Sequence, residues 1–313
     1  MSSSHDAVML TAFGGPERMD EVRPFLRRVL EGRAVPAERF EEVVRHYEVL
    51  GGRSPLGEIT RRQAAALEVA LAGAGLALPV AIGMRNSAPF ISDTLQTLRA
   101  GGASRVLSVI MAAHESPASH GRYREAIALV RKKLGADAPE VSYSEGFHDH
   151  RGFVTANVEH ARAAQARVPE NERERALLVF TAHSIPLAVA EGSPYVAQLE
   201  RSASLVASAL GKRNYRVAYQ SRSGSPREPW LGPDINDVIR EQAGRGTRAL
   251  LLCPIGFVCD HVEVLYDLDV EAAKTARGHG LALARAQAVN DDPAFISALL
   301  ERVQQACAAV SSP

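Results

Sequence analysis

Leu250-Leu-Leu-Cys-Pro-Ile-Gly-Phe-Val-Cys-Asp-His-Val-Glu-Val-Leu-Tyr-Asp-Leu-Asp-Val-Glu271 is the stretch from which the rest of the chain can be read. Its first part, 249–255, is an apolar run of the kind that forms a buried parallel strand. Pro254 and Gly256 close the strand, and Asp260 stands where an N-cap of the following helix is expected. On that helix Glu263, Asp267 and Glu271 recur at i, i+4 and i+8, which puts three carboxylates on one face. Like charges at this spacing repel by a few tenths of a kcal/mol per pair. An acidic face just beyond a strand's carboxyl end suggests a path for a cation or a proton, because that edge of an α/β sheet is where ligands bind. A solvated helix face is the other reading of the same pattern.

Outward from this stretch, strands and helices alternate. Short apolar strands are expected at 7–13, 79–84, 105–112 and 140–144, with helices at 39–50, 59–74, 88–99, 123–134 and 153–167 between or after them. The scheme repeats with strands at 176–182, 215–220, 249–255 and 281–286 and helices at 196–210 and 235–242. A terminal helix over 293–309 follows Asn290-Asp-Asp292. Strands separated by helices of this length predict parallel, doubly wound α/β sheets. About four strands on each side of residue 170 predict two similar Rossmann-like domains with four-stranded sheets. The expected boundaries are 1–170, 171–285 and a C-terminal helix, 286–313, that packs back on the first domain. Ala113-His114-Glu-Ser116 and Ala182-His183-Ser184 both follow apolar strands, a faint internal echo.

Composition excludes several classes. Lys plus Arg and Asp plus Glu are 36 each, so there is no basic surplus for nucleic acid. No apolar run reaches the roughly 18 residues of a membrane span, and Met1-Ser-Ser-Ser-His-Asp6 is not a signal peptide, so a cytoplasmic protein is expected. The chain has no Gly-x-Gly-x-x-Gly and no Walker motif. Its three cysteines, Cys253, Cys259 and Cys307, supply no fourth thiolate for an all-cysteine iron–sulfur cluster.

Two further segments carry chemistry. Phe180-Thr-Ala-His-Ser-Ile-Pro186 ends a strand with His183, a candidate base or ligand for a borderline divalent metal. Its plain alternative is a loop histidine bonded to backbone. Tyr219-Gln-Ser-Arg-Ser-Gly-Ser-Pro-Arg-Glu-Pro-Trp-Leu-Gly-Pro-Asp234 is a polar, turn-rich loop holding the sole tryptophan, Trp230, which can serve to anchor it.

Together these segments resemble the ferrochelatases, enzymes that insert ferrous iron into a porphyrin. The resemblance rests on 180–186, on Tyr219-Gln-Ser-Arg-Ser-Gly224, on Trp230-Leu-Gly-Pro-Asp234 and on 254–267. His46-Tyr-Glu-Val-Leu-Gly-Gly-Arg-Ser-Pro-Leu56 and Arg122-Tyr-Arg124 extend it, so the likeness runs over about residues 9–298. It implies two α/β domains facing a cleft, with His183 and Glu263 as the catalytic and metal-handling pair across the porphyrin centre. Asp267 and Glu271 would continue the metal or proton line. Phe13, Arg45, His46, Ser54 and Tyr123 match porphyrin-lining positions. Ferrous iron is a substrate, no organic cofactor or iron–sulfur cluster is expected, and the partners are the porphyrin, the iron and an upstream or downstream haem-pathway enzyme.

Departures matter too. Some relatives have a tyrosine where this chain has Phe13, and several carry paired arginines where Leu30-Glu31 stand here. Arg33, Arg45, Arg53 and Arg122, with His46 and Ser54, are nevertheless expected near the cleft. Each arginine can hold a carboxylate bidentately. The segment 39–56 looks most like that of soluble enzymes acting on coproporphyrin III, which carries four propionates, and this porphyrin is the expected substrate. Protoporphyrin IX, a cobalt or nickel tetrapyrrole chelatase and a non-catalytic haem binder are the alternatives.

Overall fold

The computed structural model describes residues 5–32, 35–223 and 228–309. Eight strands form two sheets, both entirely parallel. The first sheet has the order β2-β1-β3-β4, from β1 (Ala7–Ala12), β2 (Val80–Met84), β3 (Arg105–Ile110) and β4 (Glu140–Tyr143). The second has the order β6-β5-β7-β8, from β5 (Leu177–His183), β6 (Tyr215–Gln220), β7 (Ala249–Cys253) and β8 (Ala282–Arg285). The second order repeats the first, so the expected duplication of architecture is present in the topology. Strands β1 and β7 are buried at every position, as central strands covered on both faces must be.

The chain divides into two compact units. Unit 1 holds the chain up to Met111, then His120–Gly146, then the chain from Ile296 on; unit 2 holds Ala112–Ser119 and Phe147–Phe295. The division therefore falls after Gly146 and not near residue 170. The reason lies in the helix Arg151–Gln165, whose Phe153 packs at 5.7 Å from Phe147 and at 6.0 Å from Phe295, all within unit 2. The terminal helix Pro293–Ala309 belongs to unit 1 from Ile296 on.

In unit 1 the helices Ile91–Ala100 and Arg122–Leu134 bury Ile91, Leu95 and Ile127 against Met9 and Val106 of the sheet. A helix at Met19–Val29 has no counterpart in the sequence reading, since Pro24 lies inside it. Its Val22, Phe25 and Leu26 are buried, and that apolar face outweighs the proline's missing donor. The helix Ala37–Val49 follows and ends before the turn that carries Ser54. Among the described residues no helix is long and apolar enough to cross a membrane.

In unit 2 the core gathers Val179, Ala218, Ile239, Leu250 and Leu252 with Val264, Leu268, Ala272 and Ala276. The last four recur every fourth residue. Each such step on an α-helix drifts by about 40°, so the stripe would wind off the sheet. The segment is instead a π-helix over Leu265–Ala272, flanked by Val262–Val264 and Ala273–Gly278 in α-geometry. Its i→i+5 bonding gives roughly 4.4 residues per turn, and the mixture holds a four-residue stripe straight. The expected α-helix is thus corrected to a π-helix by burial of that stripe.

Candidate functional site

Unit 2 assembles the charged part of the site where β5 and β6 end side by side, His183 in register with Gln220. Gly256 makes the next step possible. Its N–H donates to Thr181 O at 3.0 Å, and a β-carbon there would lie 2.5 Å from Ala182 Cβ and 2.6 Å from its Cα. Only glycine lets the loop after β7 cross β5 so closely, one residue before His183. The loop then turns into the helix carrying Glu263.

The helix start differs from expectation. Its N-cap is His261, whose Nδ1 accepts from Glu263 N at 3.1 Å. Asp260 is buried, with Arg285 Nη1 at 2.7 Å from Oδ1. A buried cation and a buried carboxylate partner each other in preference to a half-wet helix end.

His183 Nε2 and Glu263 Oε2 stand 3.8 Å apart, with side-chain exposures of 30 % and 49 %. On the far side of the ring, Nδ1 contacts Ser184 O, a carbonyl that can only accept. Nδ1 therefore carries a hydrogen, and it is Nε2 that the ring turns toward Glu263, able to present a lone pair there. Two electron-pair donors separated by 3.8 Å leave space for one shared cation or proton. Bonds of about 2.0–2.2 Å, usual for nitrogen and carboxylate ligands of a divalent metal, span that gap. Tyr195 donates its hydroxyl to His183 O at 2.8 Å and packs edge-on against His114, with ring centres 6.1 Å apart. His114 is itself buried, with Nε2 at 2.9 Å from Ser202 Oγ, so the second histidine of the sequence echo supports the first within unit 2.

One turn along, Asp267 is held from the sheet. Gln220 Nε2 donates to Glu263 O at 3.2 Å and to Asp267 Oδ2 at 3.3 Å, and Ser221 Oγ donates to the same carboxylate. Ser221 adopts a left-handed backbone, φ 61°, immediately after the strand. Burial pushes the Asp267 carboxyl up to about 7, and the Glu263 and Glu271 carboxylates add to the rise against the Ser221 and Gln220 hydrogen bonds. Glu271 follows on the exposed side of the same helix. Gln220 and Ser221 lay within a motif already singled out, but nothing in it marked them as the groups holding Asp267.

These carboxylates are strung along a helix and do not close into a cage. Among the described residues no group of three or more His, Cys, Asp or Glu side chains is placed to hold a metal ion. Cys253 and Cys259 are buried, and burial pushes both thiols up to about 12.

The residues expected to line a porphyrin fall in unit 1. Phe13, at the end of β1, is 36 % exposed and meets Phe25 edge-on, with ring centres 6.1 Å apart. Phe25 in turn meets Tyr47 of the helix that carries Arg45 and His46. Arg45 is exposed, whereas burial, with Arg39 nearby, lowers the His46 imidazole from its ordinary value. Ser54 N donates to Pro16 O at 2.8 Å, and Ser54 fills the space left by Gly15, whose β-carbon would lie 2.8 Å from it. Arg53 and Arg122 are exposed. Tyr123 is 6 % exposed and belongs to unit 1. Arg33 lies outside the described residues.

Comparison with known proteins covers nearly the whole chain. The family model described as Ferrochelatase matches residues 5–307. The coproporphyrin III ferrochelatase of Mycolicibacterium smegmatis is 41 % identical over 305 residues, 96 % of this chain and 90 % of that one. That of Frankia alni is 43 % identical over 312 residues, 96 % of this chain and 79 % of the other. A ferrochelatase of Rhodopirellula baltica is 41 % identical over 303 residues, 96 % and 86 % of the two chains. Among solved structures, SirB of Bacillus subtilis with Fe3+ has a TM-score of 0.60 at 14 % identity, covering 97 % of this chain and 96 % of that one. CbiX, the terminal enzyme of sirohaem biosynthesis in denitrifying bacteria, has 0.52 at 14 %, covering 96 % and 99 %. At such identity these two share the fold.

Proposed function

This chain belongs to the ferrochelatase family, and from that premise we propose that it inserts ferrous iron into coproporphyrin III, giving coprohaem in haem biosynthesis. The observation that carries the chemistry is the His183–Glu263 pair, two facing electron-pair donors 3.8 Å apart. Metallation removes two pyrrole protons and transfers a divalent cation that has shed its water. His183 Nε2, with Nδ1 engaged by Ser184 O, accepts a proton or holds the incoming iron. Glu263 supplies the negative charge that offsets lost hydration. Asp267, whose carboxyl is raised to about 7, and Glu271 relay protons outward from the pair to solvent, or iron inward to it. Phe13, Arg45, His46, Ser54 and Tyr123 are the residues of unit 1 assigned to the porphyrin, Arg45 to a propionate.

Relatives named for coproporphyrin III at similar identity support that substrate. A cytoplasmic location and transfer of coprohaem to a following haem-pathway enzyme belong to the same reading. The test is anaerobic metallation by absorbance with ferrous iron and either coproporphyrin III or protoporphyrin IX. A higher kcat/KM for coproporphyrin III is expected; the reverse order overturns the substrate, and no metallation of either overturns the activity.

A further inference from the structure

The helix bearing Glu263 and Asp267 is gripped on its other side by one arginine. Arg285 ends β8 and is 11 % exposed. Its Nε and Nη2 donate to the two oxygens of Asp269 at 2.7 and 2.8 Å, a bidentate fork. Its Nη1 donates to Asp260 Oδ1 at 2.7 Å and to Ala286 O at 3.0 Å. Asp269 lies two residues past Asp267, roughly half a turn round the helix, so the fork takes hold opposite the acidic line. Asp260 precedes the helix by two residues and is fixed in turn. Asn290 Nδ2 donates to its Oδ2 at 2.9 Å, and its own N–H donates to Asn290 Oδ1 at 2.8 Å. Asn290 has φ 46°, a conformation that asparagine tolerates better than most residues. One guanidinium thus ties the helix middle and the turn before the helix to the end of a strand.

We infer that Arg285 is a positioning residue for metal insertion, setting the rotation of the helix that presents Glu263 and Asp267 toward His183. This rests on the reading of those three as the metal-handling groups. A π-helix has weaker internal restraint than an α-helix. Its rotation is therefore set from outside, by the buried stripe on one side and by Arg285. Lysine carries the same charge but offers a single ammonium, which cannot fork onto Asp269 and reach Asp260 together.

Arg285→Lys and Asp269→Asn test this, with Glu263→Gln in parallel. Each is measured for Tm, for coproporphyrin III affinity by fluorescence quenching, and for kcat and KM toward ferrous iron. In both clamp variants kcat/KM for iron is expected to fall by about tenfold or more while porphyrin Kd stays within about twofold, since small misplacements of reacting groups are costly. Unchanged iron kinetics in folded variants, or an equal loss of porphyrin affinity, overturns the positioning role. If Arg285→Lys does not fold, Asp269→Asn, at a carboxylate that is 41 % exposed, decides alone. An impaired Glu263→Gln beside normal clamp variants rejects the clamp; a normal Glu263→Gln rejects the underlying site.

Discussion

Gly256 passes so close to Ala182 that a β-carbon on the glycine would stand 2.5 Å from that of the alanine. This approach carries the loop after β7 across β5 and sets the distance between His183 and Glu263. Gly256→Ala forces backbone apart, because Ala182 Cα is also within 2.6 Å. A stability loss of about 1–3 kcal/mol is expected from overpacking. Activity should fall further than stability explains. Urea unfolding beside iron kinetics at a temperature where the variant is folded measures both, and full activity there would refute the crossing as the determinant of the pair.

The pair itself can be separated into a ring and a charge. His183→Ala is expected to keep the fold, since the side chain is 30 % exposed at a strand end, and to lose metallation by about 10²-fold or more. Glu263→Gln keeps shape and loses charge, with a loss of similar order. Near-normal turnover by either would remove that residue from the mechanism.

Asp267 links activity to pH in a stated direction. Its carboxyl is raised to about 7 when folded, so it binds a proton more tightly in the folded chain than in the unfolded one. The stability it contributes is fully present below the unfolded value near 4 and is lost as pH rises through about 7, by at most about 4 kcal/mol. Asp267→Asn should therefore gain Tm relative to the parent between pH 5 and pH 8 while its turnover drops. In the parent, kcat should rise with pH through about 7, as the group ionises and becomes an acceptor. A Tm difference that is flat with pH would show that the carboxyl titrates near its ordinary value.

Arg45 bears on the porphyrin. It is exposed on the helix Ala37–Val49, beside the chain of rings from Tyr47 through Phe25 to Phe13. Arg45→Ala should raise KM for coproporphyrin III more than for protoporphyrin IX, by a factor of about 10 for one lost charge-assisted contact. Equal effects on the two would mean that Arg45 meets a propionate common to both.

Much of this was legible because parallel strands are buried on both faces and read as apolar runs. The strands expected at 7–13, 105–112 and 249–255 are β1, β3 and β7 with ends moved by one or two residues. That His183 closes a strand was legible from the apolar run before it, and its facing of Glu263 was an expectation from the resemblance alone. The π-helix was not legible, although its trace is in the chain: Val264, Leu268, Ala272 and Ala276 repeat strictly every fourth residue, a stripe that an α-helix would wind by about 40° per step. Asp260 misled because a carboxylate before a helix usually caps it, and only the fold brings Arg285 within reach. The helix with Pro24 hid behind a residue that local rules treat as a breaker.

Unit 1 is written in three stretches of chain, and the last of them begins at Ile296. A ribosome making this protein from its N-terminus therefore synthesises all of unit 2 before it reaches the last stretch of unit 1. The usual vectorial order, N-terminal domain first, does not hold here: unit 1 cannot be completed until the chain beyond unit 2 has been made. His5 and Glu145 are made long before Cys307 and Arg302, the residues of the last stretch that they meet. A nascent chain fused after residue 295 to a linker long enough for that residue to clear the ribosome exit tunnel should show protease-resistant unit 2 and a still-cleavable unit 1.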